Sequence, residues 1–91
     1  MRVRWTAEAR SDLDRLHRFL APVNRQAAAR TVQSLRSAPA QLTDHPRLGL
    51  RLERYVPREV RRLFVGDYEL RYEIKDDTIL VVALWHARED R

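Results

Sequence analysis

His86 is the side chain of this 91-residue chain best suited by type to move a proton. It follows an apolar stretch, in the run Leu84-Trp85-His86-Ala87-Arg88-Glu89-Asp90-Arg91. An imidazole titrates close to neutral pH and can give or take a proton there, but a single histidine beside a tryptophan is more often a hydrogen-bonded structural residue. Arg58, Arg61, Arg62 and Arg71 lie on or beside two neighbouring strand-like segments and can converge into a basic surface. Glu59, Glu69 and Glu73 are interleaved with them and can equally well neutralise it. Cutting RNA at such a patch requires cations against the developing phosphorane charge and a group that activates the 2′-hydroxyl. Arg62, Arg88 and His86 have the types for those roles, while the interleaved carboxylates repel a phosphate backbone and count against it.

Other chemistries are poorly served. There is no glycine-rich phosphate loop, no nucleophile elbow and no histidine pair at helical spacing. Cysteine is absent, which removes thiol nucleophiles and thiolate metal sites, and His17, His45 and His86 have no ligand spacing. Neither a metal nor a cofactor is expected. Ser11, Ser34 and Ser37 fall within helical segments and read as solvated or capping residues. The formal net charge is +5, and of 18 basic residues only Lys75 is a lysine. A GC-rich coding sequence produces such a bias without altering the biology. Guanidinium forks also suit carboxylates and phosphates, so an acidic protein segment or a nucleic acid is the natural complement.

The length allows one domain, residues 1–91, and 44% hydrophobic with 34% charged residues describes a globular chain rather than a disordered one. Its longest apolar run, Ile79 to Trp85, is far below the roughly 20 residues that span a bilayer, and the N-terminus lacks the apolar core of a signal peptide. A soluble cytoplasmic protein with no membrane partner is expected.

The elements that must position these side chains follow from periodicity. Arg2 to Trp5 alternate polar and apolar, the period of a short half-buried strand. Thr6 then caps a helix on which Ala9, Leu13, Leu16 and Leu20 form one stripe, ending near Ala21 because Pro22 disfavours helical geometry before it. Asn24 caps a second helix striped by Ala28, Val32 and Leu35, with Leu42 one repeat further and Pro39 kinking it or restarting it at Ser37. So short a link predicts an antiparallel helical hairpin. Asp44 to Arg58 contains Pro46, Gly49 and Pro57 and has no clean period, which predicts a long loop. Val60 to Val65, Tyr68 to Ile74 and Thr78 to His86 are strands, separated by Gly66-Asp67 and Asp76-Asp77 turns. On the middle one Tyr68, Leu70, Tyr72 and Ile74 face a core, and Glu69, Arg71 and Glu73 face away. The order β-α-α-β-β-β makes an α+β domain: an antiparallel meander with an N-terminal strand, covered on one face by the helical hairpin and open on the other.

Those segments carry a family resemblance. The run from His45-Pro46-Arg47-Leu48-Gly49, through Val60-Arg61-Arg62-Leu63 and Val65-Gly66-Asp67-Tyr68-Glu69-Leu70-Arg71-Tyr72-Glu73-Ile74, to Leu84-Trp85-His86-Ala87-Arg88-Glu89-Asp90 resembles toxins of the RelE/ParE superfamily of type II toxin-antitoxin systems. An opening of the type Trp5-Thr6-x-x-Ala9-x-x-Asp12-Leu13 fits as well, so the likeness covers essentially the whole chain.

The resemblance implies one of two activities. RelE-like members are ribosome-dependent mRNA endonucleases, and ParE-like members inhibit DNA gyrase without a catalytic constellation. Ribonuclease members commonly place an arginine after the tyrosine that begins the middle strand, and here that place is taken by Glu69. Arg62 and Arg88 match basic positions of the nuclease pattern, and His86 matches a histidine of both branches. The Leu84-Trp85-His86 ending and the Pro46-x-x-Gly49 exit resemble the ParE-like branch more closely. The expectation is therefore a toxin that binds gyrase, with the endonuclease using Arg62, His86 and Arg88 as the alternative and an antitoxin-binding member without toxicity as a third reading. The implied partner is a cognate antitoxin of ParD or RelB type, whose acidic amphipathic segment wraps the helical hairpin and the sheet edge, in an oligomer with the toxin. Partner contacts are expected at Arg58, Arg61, Arg62, Arg71, Trp85, His86 and Arg88, and on the helices at Arg10, Arg15, Arg18, Arg30 and Arg36.

Overall fold

The computed structural model describes residues 1–89, so Asp90 of the C-terminal run lies outside the described residues together with Arg91. Strand β1 (Arg2–Trp5) leads into helix α1 (Ala7–Leu20), and the chain returns as helix α2 (Arg25–Ser37). Both helices begin where a side chain can take an orphan amide. The Thr6 hydroxyl accepts from the Ala9 amide at 3.0 Å, and the Asn24 side-chain oxygen accepts from the Ala27 amide at 2.9 Å. At Ala38–Thr43 the chain tightens into a 3-10 helix with Pro39 in its first turn, where a missing N–H leaves no bond unmade.

Four further strands complete the sheet: β2 (Leu50–Arg51), β3 (Glu59–Val65), β4 (Tyr68–Lys75) and β5 (Thr78–His86). Their spatial order is β1-β5-β4-β3-β2, with β1 parallel to β5 and every other pair antiparallel. The expected α+β architecture, meander, N-terminal strand and covering hairpin are all present. The Asp44–Arg58 segment departs from expectation. It holds the edge strand β2 and a 3-10 turn at Glu53–Tyr55, so the sheet has five strands and part of its second face is covered. A strand of two residues has no period to detect.

The core lies between the hairpin and the sheet, where Leu13, Leu16, Leu35, Leu42, Leu70, Tyr72, Ile79, Val81 and Leu84 are buried together. On β5 the inward residues change phase. Tyr72 lies opposite Val81 but Arg71 lies opposite Ala83, which leaves Val82 as an extra residue in a bulge. Ile79 and Val81 face the helices before the bulge, and Leu84 and His86 do so after it. Gly66, at φ +60°, and Asp76, at φ 54°, supply the left-handed residues of the two hairpin turns.

Candidate functional site

Directly opposed residues of neighbouring strands share a face. The face away from the helices therefore carries four rows: Leu50, Arg62, Arg71 and Ala83; Phe64, Glu69 and Trp85; Val60, Glu73, Leu80 and Arg4; Lys75, Thr78 and Arg2. Two carboxylates are buried here, Glu69 at 7% and Glu73 at 9% exposure, and each is matched by a guanidinium. Arg71 donates to Glu69 at 2.7 Å and to the Tyr55 hydroxyl at 3.1 Å, and its guanidinium lies 4.6 Å from the Trp85 ring centroid. Arg58 grips both oxygens of Glu73, at 3.1 and 2.9 Å. Buried charge is tolerated here because each carboxylate accepts from a guanidinium of opposite charge.

Arg62 differs from these neighbours. It is half-buried, its Nε is buried without an acceptor, and it makes no hydrogen bond or ion pair among the described residues. Arg71 also has an unmatched Nε, but its terminal nitrogens are engaged. The Arg62 guanidinium lies 5.4 Å from the Phe64 ring centroid, and the flanking Phe64 and Leu50 are 54% and 60% exposed.

Arg61, grouped by sequence with Arg58, Arg62 and Arg71, points to the helix side of the sheet edge, because it lies opposite Tyr72. Its Nε donates to Glu59 at 2.9 Å and its Nη1 to the Gly49 carbonyl at 2.7 Å. Arg47 holds the same Glu59 at 3.0 Å. Beside them the Tyr72 hydroxyl accepts from the Gly49 amide at 2.9 Å and donates to the Pro46 carbonyl at 2.8 Å. These bonds account for the Pro46-x-x-Gly49 spacing: the tyrosine ties down both ends of the turn that delivers β2.

The C-terminal residues occupy the helix-side rim. His86 lies opposite Tyr68, with the rings edge to face at 5.0 Å. The His86 Nδ1 accepts from the Arg88 amide at 3.0 Å, and the His86 amide donates to Glu89 at 2.9 Å. Below this, the buried Asp12 accepts from the Leu84 amide at 3.1 Å and pairs with Arg15. Arg15 extends to Glu89 at 3.2 Å and to the Leu84 carbonyl at 3.3 Å. It thus belongs to an internal network rather than to the outward cations of the hairpin. Arg10, Arg18, Arg30 and Arg36 are exposed as expected, Arg25 joins them, and none makes an ion pair among the described residues. Arg30 overhangs a groove between α2 and the β3–β4 turn lined by Thr31, Ser34, Val65 and Tyr68.

The nuclease candidates are not brought together: Arg62 stands on the helix-free face, His86 on the helix side, and Arg88 is exposed beyond the end of β5. Trp85 stacks with Arg71 on the same face as Arg62. Sequence reasoning passed over Asp12, Glu89, Tyr55 and Tyr72 as functional positions. Only Asp12 left a trace, through the Thr6-x-x-Ala9-x-x-Asp12 spacing: a cap, a fully buried small residue, and a carboxylate one turn further on.

Glu73 titrates below its ordinary value of 4.5 because the Arg58 hydrogen bonds outweigh the opposing effect of burial. At Glu59 burial raises the value, and the bonds from Arg61 and Arg47 more than offset it, so that group is lowered too. A carboxylate that is lowered on folding contributes stability that is present above its unfolded pKa and is lost as pH falls through the folded one. The unfolding midpoint should therefore be flat from about pH 7 to 5 and fall below about pH 4, and Glu73→Gln should flatten that fall. Circular dichroism melts across the range check this.

An N-terminal strand, two helices and a mixed sheet of five strands are consistent with the fold of the RelE/ParE superfamily of toxins. Over residues 3–91 the chain matches the family described as ParE toxin of type II toxin-antitoxin system, parDE, and it belongs to that family. It is the toxin-type member of such a system. Among solved structures, one described as "Chromosomal ParDE TA system from P. aeruginosa" is similar with a TM-score of 0.79 at 21% identity, over 94% of this chain and 95% of that one. A likeness at that identity is one of fold. A search of the curated proteins finds no match. Among the described residues no helix is long and apolar enough to cross a membrane.

Proposed function

We propose that this toxin arrests bacterial growth by binding DNA gyrase in the cytoplasm, and that a cognate antitoxin neutralises it by laying an acidic amphipathic segment along the helical hairpin, in an oligomer with the toxin. The observation that carries a binding rather than a cutting role is the placement of the arginines. Of the four on or beside β3 and β4, three are held by carboxylates, and the nuclease candidates Arg62 and His86 are on opposite faces of the sheet. A phosphodiester cannot lie against both. Exposed Arg10, Arg18, Arg25, Arg30 and Arg36 support the antitoxin half of the reading, since unpaired guanidiniums on two adjacent helices suit a chain of carboxylates.

The purified toxin should block gyrase supercoiling and leave ribosome-bound transcripts intact. Cleaved transcripts with normal supercoiling would overturn the reading. His86→Ala gives a second check. It removes one edge-to-face contact and the acceptor for the Arg88 amide, about 1 kcal/mol of stability. Growth arrest should survive in His86→Ala once the folded fraction is matched to wild type. A nuclease that used this imidazole would instead lose about a hundredfold or more in cleavage.

A further inference from the structure

On the helix-free face Arg62 is the arginine that has a buried Nε without an acceptor and makes no side-chain hydrogen bond or ion pair among the described residues. Its neighbours Arg58 and Arg71 are neutralised by Glu73 and Glu69, and the further cations of this face, Arg2, Arg4 and Lys75, lie at its other end around β1, so around β3 the charge is balanced except at Arg62. Nearly all buried polar groups in folded proteins have partners, and one that lacks them calls for an explanation. The surroundings of Arg62 narrow what that partner can be. Leu50 stands opposite it on β2, Phe64 follows two residues along β3 on the same face, and both present most of their apolar surface to solvent. A single cation between two exposed apolar side chains fits one carboxylate flanked by apolar groups. It does not fit a phosphate backbone, which is held by several unpaired cations in succession. Nor does it suit a segment with many acidic residues, for which the five unpaired arginines of the hairpin are the better match.

We propose that Leu50, Arg62 and Phe64 form the surface by which this toxin docks on its protein target, with Arg62 receiving one carboxylate of that target between the two apolar side chains. This inference rests on the gyrase reading and assigns the contact to the sheet face rather than to the hairpin. Docking would give the terminal nitrogens of the Arg62 guanidinium an acceptor that no described residue supplies and cover Phe64 and Leu50 together, so the charge and the apolar contacts would reinforce each other in one desolvated patch. Such central arginine and aromatic anchors are where interface energy concentrates.

The test is a supercoiling-inhibition titration with wild type, Arg62→Ala, Arg62→Lys and Phe64→Ala, each checked for an unchanged melting midpoint, alongside measurement of antitoxin affinity for the same proteins. Arg62→Ala should raise the concentration needed for half-inhibition about thirtyfold or more, Phe64→Ala about tenfold, and Arg62→Lys should recover only part of the loss, because a lysine cannot reproduce the fork. Antitoxin affinity should change less than about threefold, as expected for a contact outside that interface. If wild type inhibits gyrase and the variants inhibit equally well, the docking surface is refuted and the gyrase reading stands. Lost antitoxin affinity with undiminished inhibition would assign the face to the antitoxin and refute the proposal, as would a parallel loss of binding to duplex DNA alone. Wild type that fails to inhibit supercoiling would refute the gyrase reading itself.

Discussion

Asp12→Ala should cost about 3 kcal/mol and lower the melting midpoint by roughly 15 °C. The carboxylate is 7% exposed and does two things: it accepts the Leu84 amide beside the β5 bulge and holds Arg15 against the rim. Alanine leaves a buried amide unpaired and deprives Arg15 of one of its two carboxylates. Asp12→Asn keeps an acceptor for Leu84 and loses only the charge, so about half of the stability should return. A domain of this size has about 5–15 kcal/mol in total. Thermal melts of the three proteins decide the matter, and an alanine variant within about 3 °C of wild type would mean that the network adds no net stability.

Gly49→Ala should be nearly as damaging, at about 2–3 kcal/mol. A Cβ there would lie 2.6 Å from the Arg62 carbonyl oxygen and 2.8 Å from the Tyr72 hydroxyl, so β2 would have to move off β3. The movement would also break the bonds that Tyr72 makes to Gly49 and Pro46. Tyr72→Phe alone should cost about 1–2 kcal/mol through those two lost bonds. In the double variant the costs should fall short of their sum, because the first change already removes what the second would. A thermodynamic cycle from denaturant melts measures that coupling.

How much of this was legible in the sequence depended on periodicity. Thr6, Asn24 and the leucine stripes specify the hairpin because each acts within a turn or two of itself. The alternation of Tyr68 to Ile74 places β4 correctly. The run Ile79 to Trp85 does not alternate, so neither the bulge at Val82 nor the resulting inward turn of His86 can be read from it. For the same reason the side taken by Arg61 stayed hidden, since Val60 to Val65 is apolar at both parities. Glu69 and Glu73 were recognisable as the polar side of β4. Their burial was not, because it is produced by Arg58 and Tyr55 arriving from a segment without any period. Arg62 stood out as a nuclease candidate by type, and its lack of a partner became visible only when the carboxylates around it were found to be taken.

The parallel pairing of β1 with β5 has a consequence for how the protein is made. The first strand of the sheet has no neighbour except the last one, and Ile79, Val81 and Leu84 of that last strand form the floor on which Leu13, Leu16 and Leu35 rest. In a growing chain the full core cannot close until the last strand arrives, since contacts between β1 and β5 join its earliest and latest elements. Until residue 86 has cleared the ribosomal tunnel, β1 lacks its strand partner and the helical hairpin lacks the floor on which it packs. Emergence of β5 is the event on which closure of the core waits.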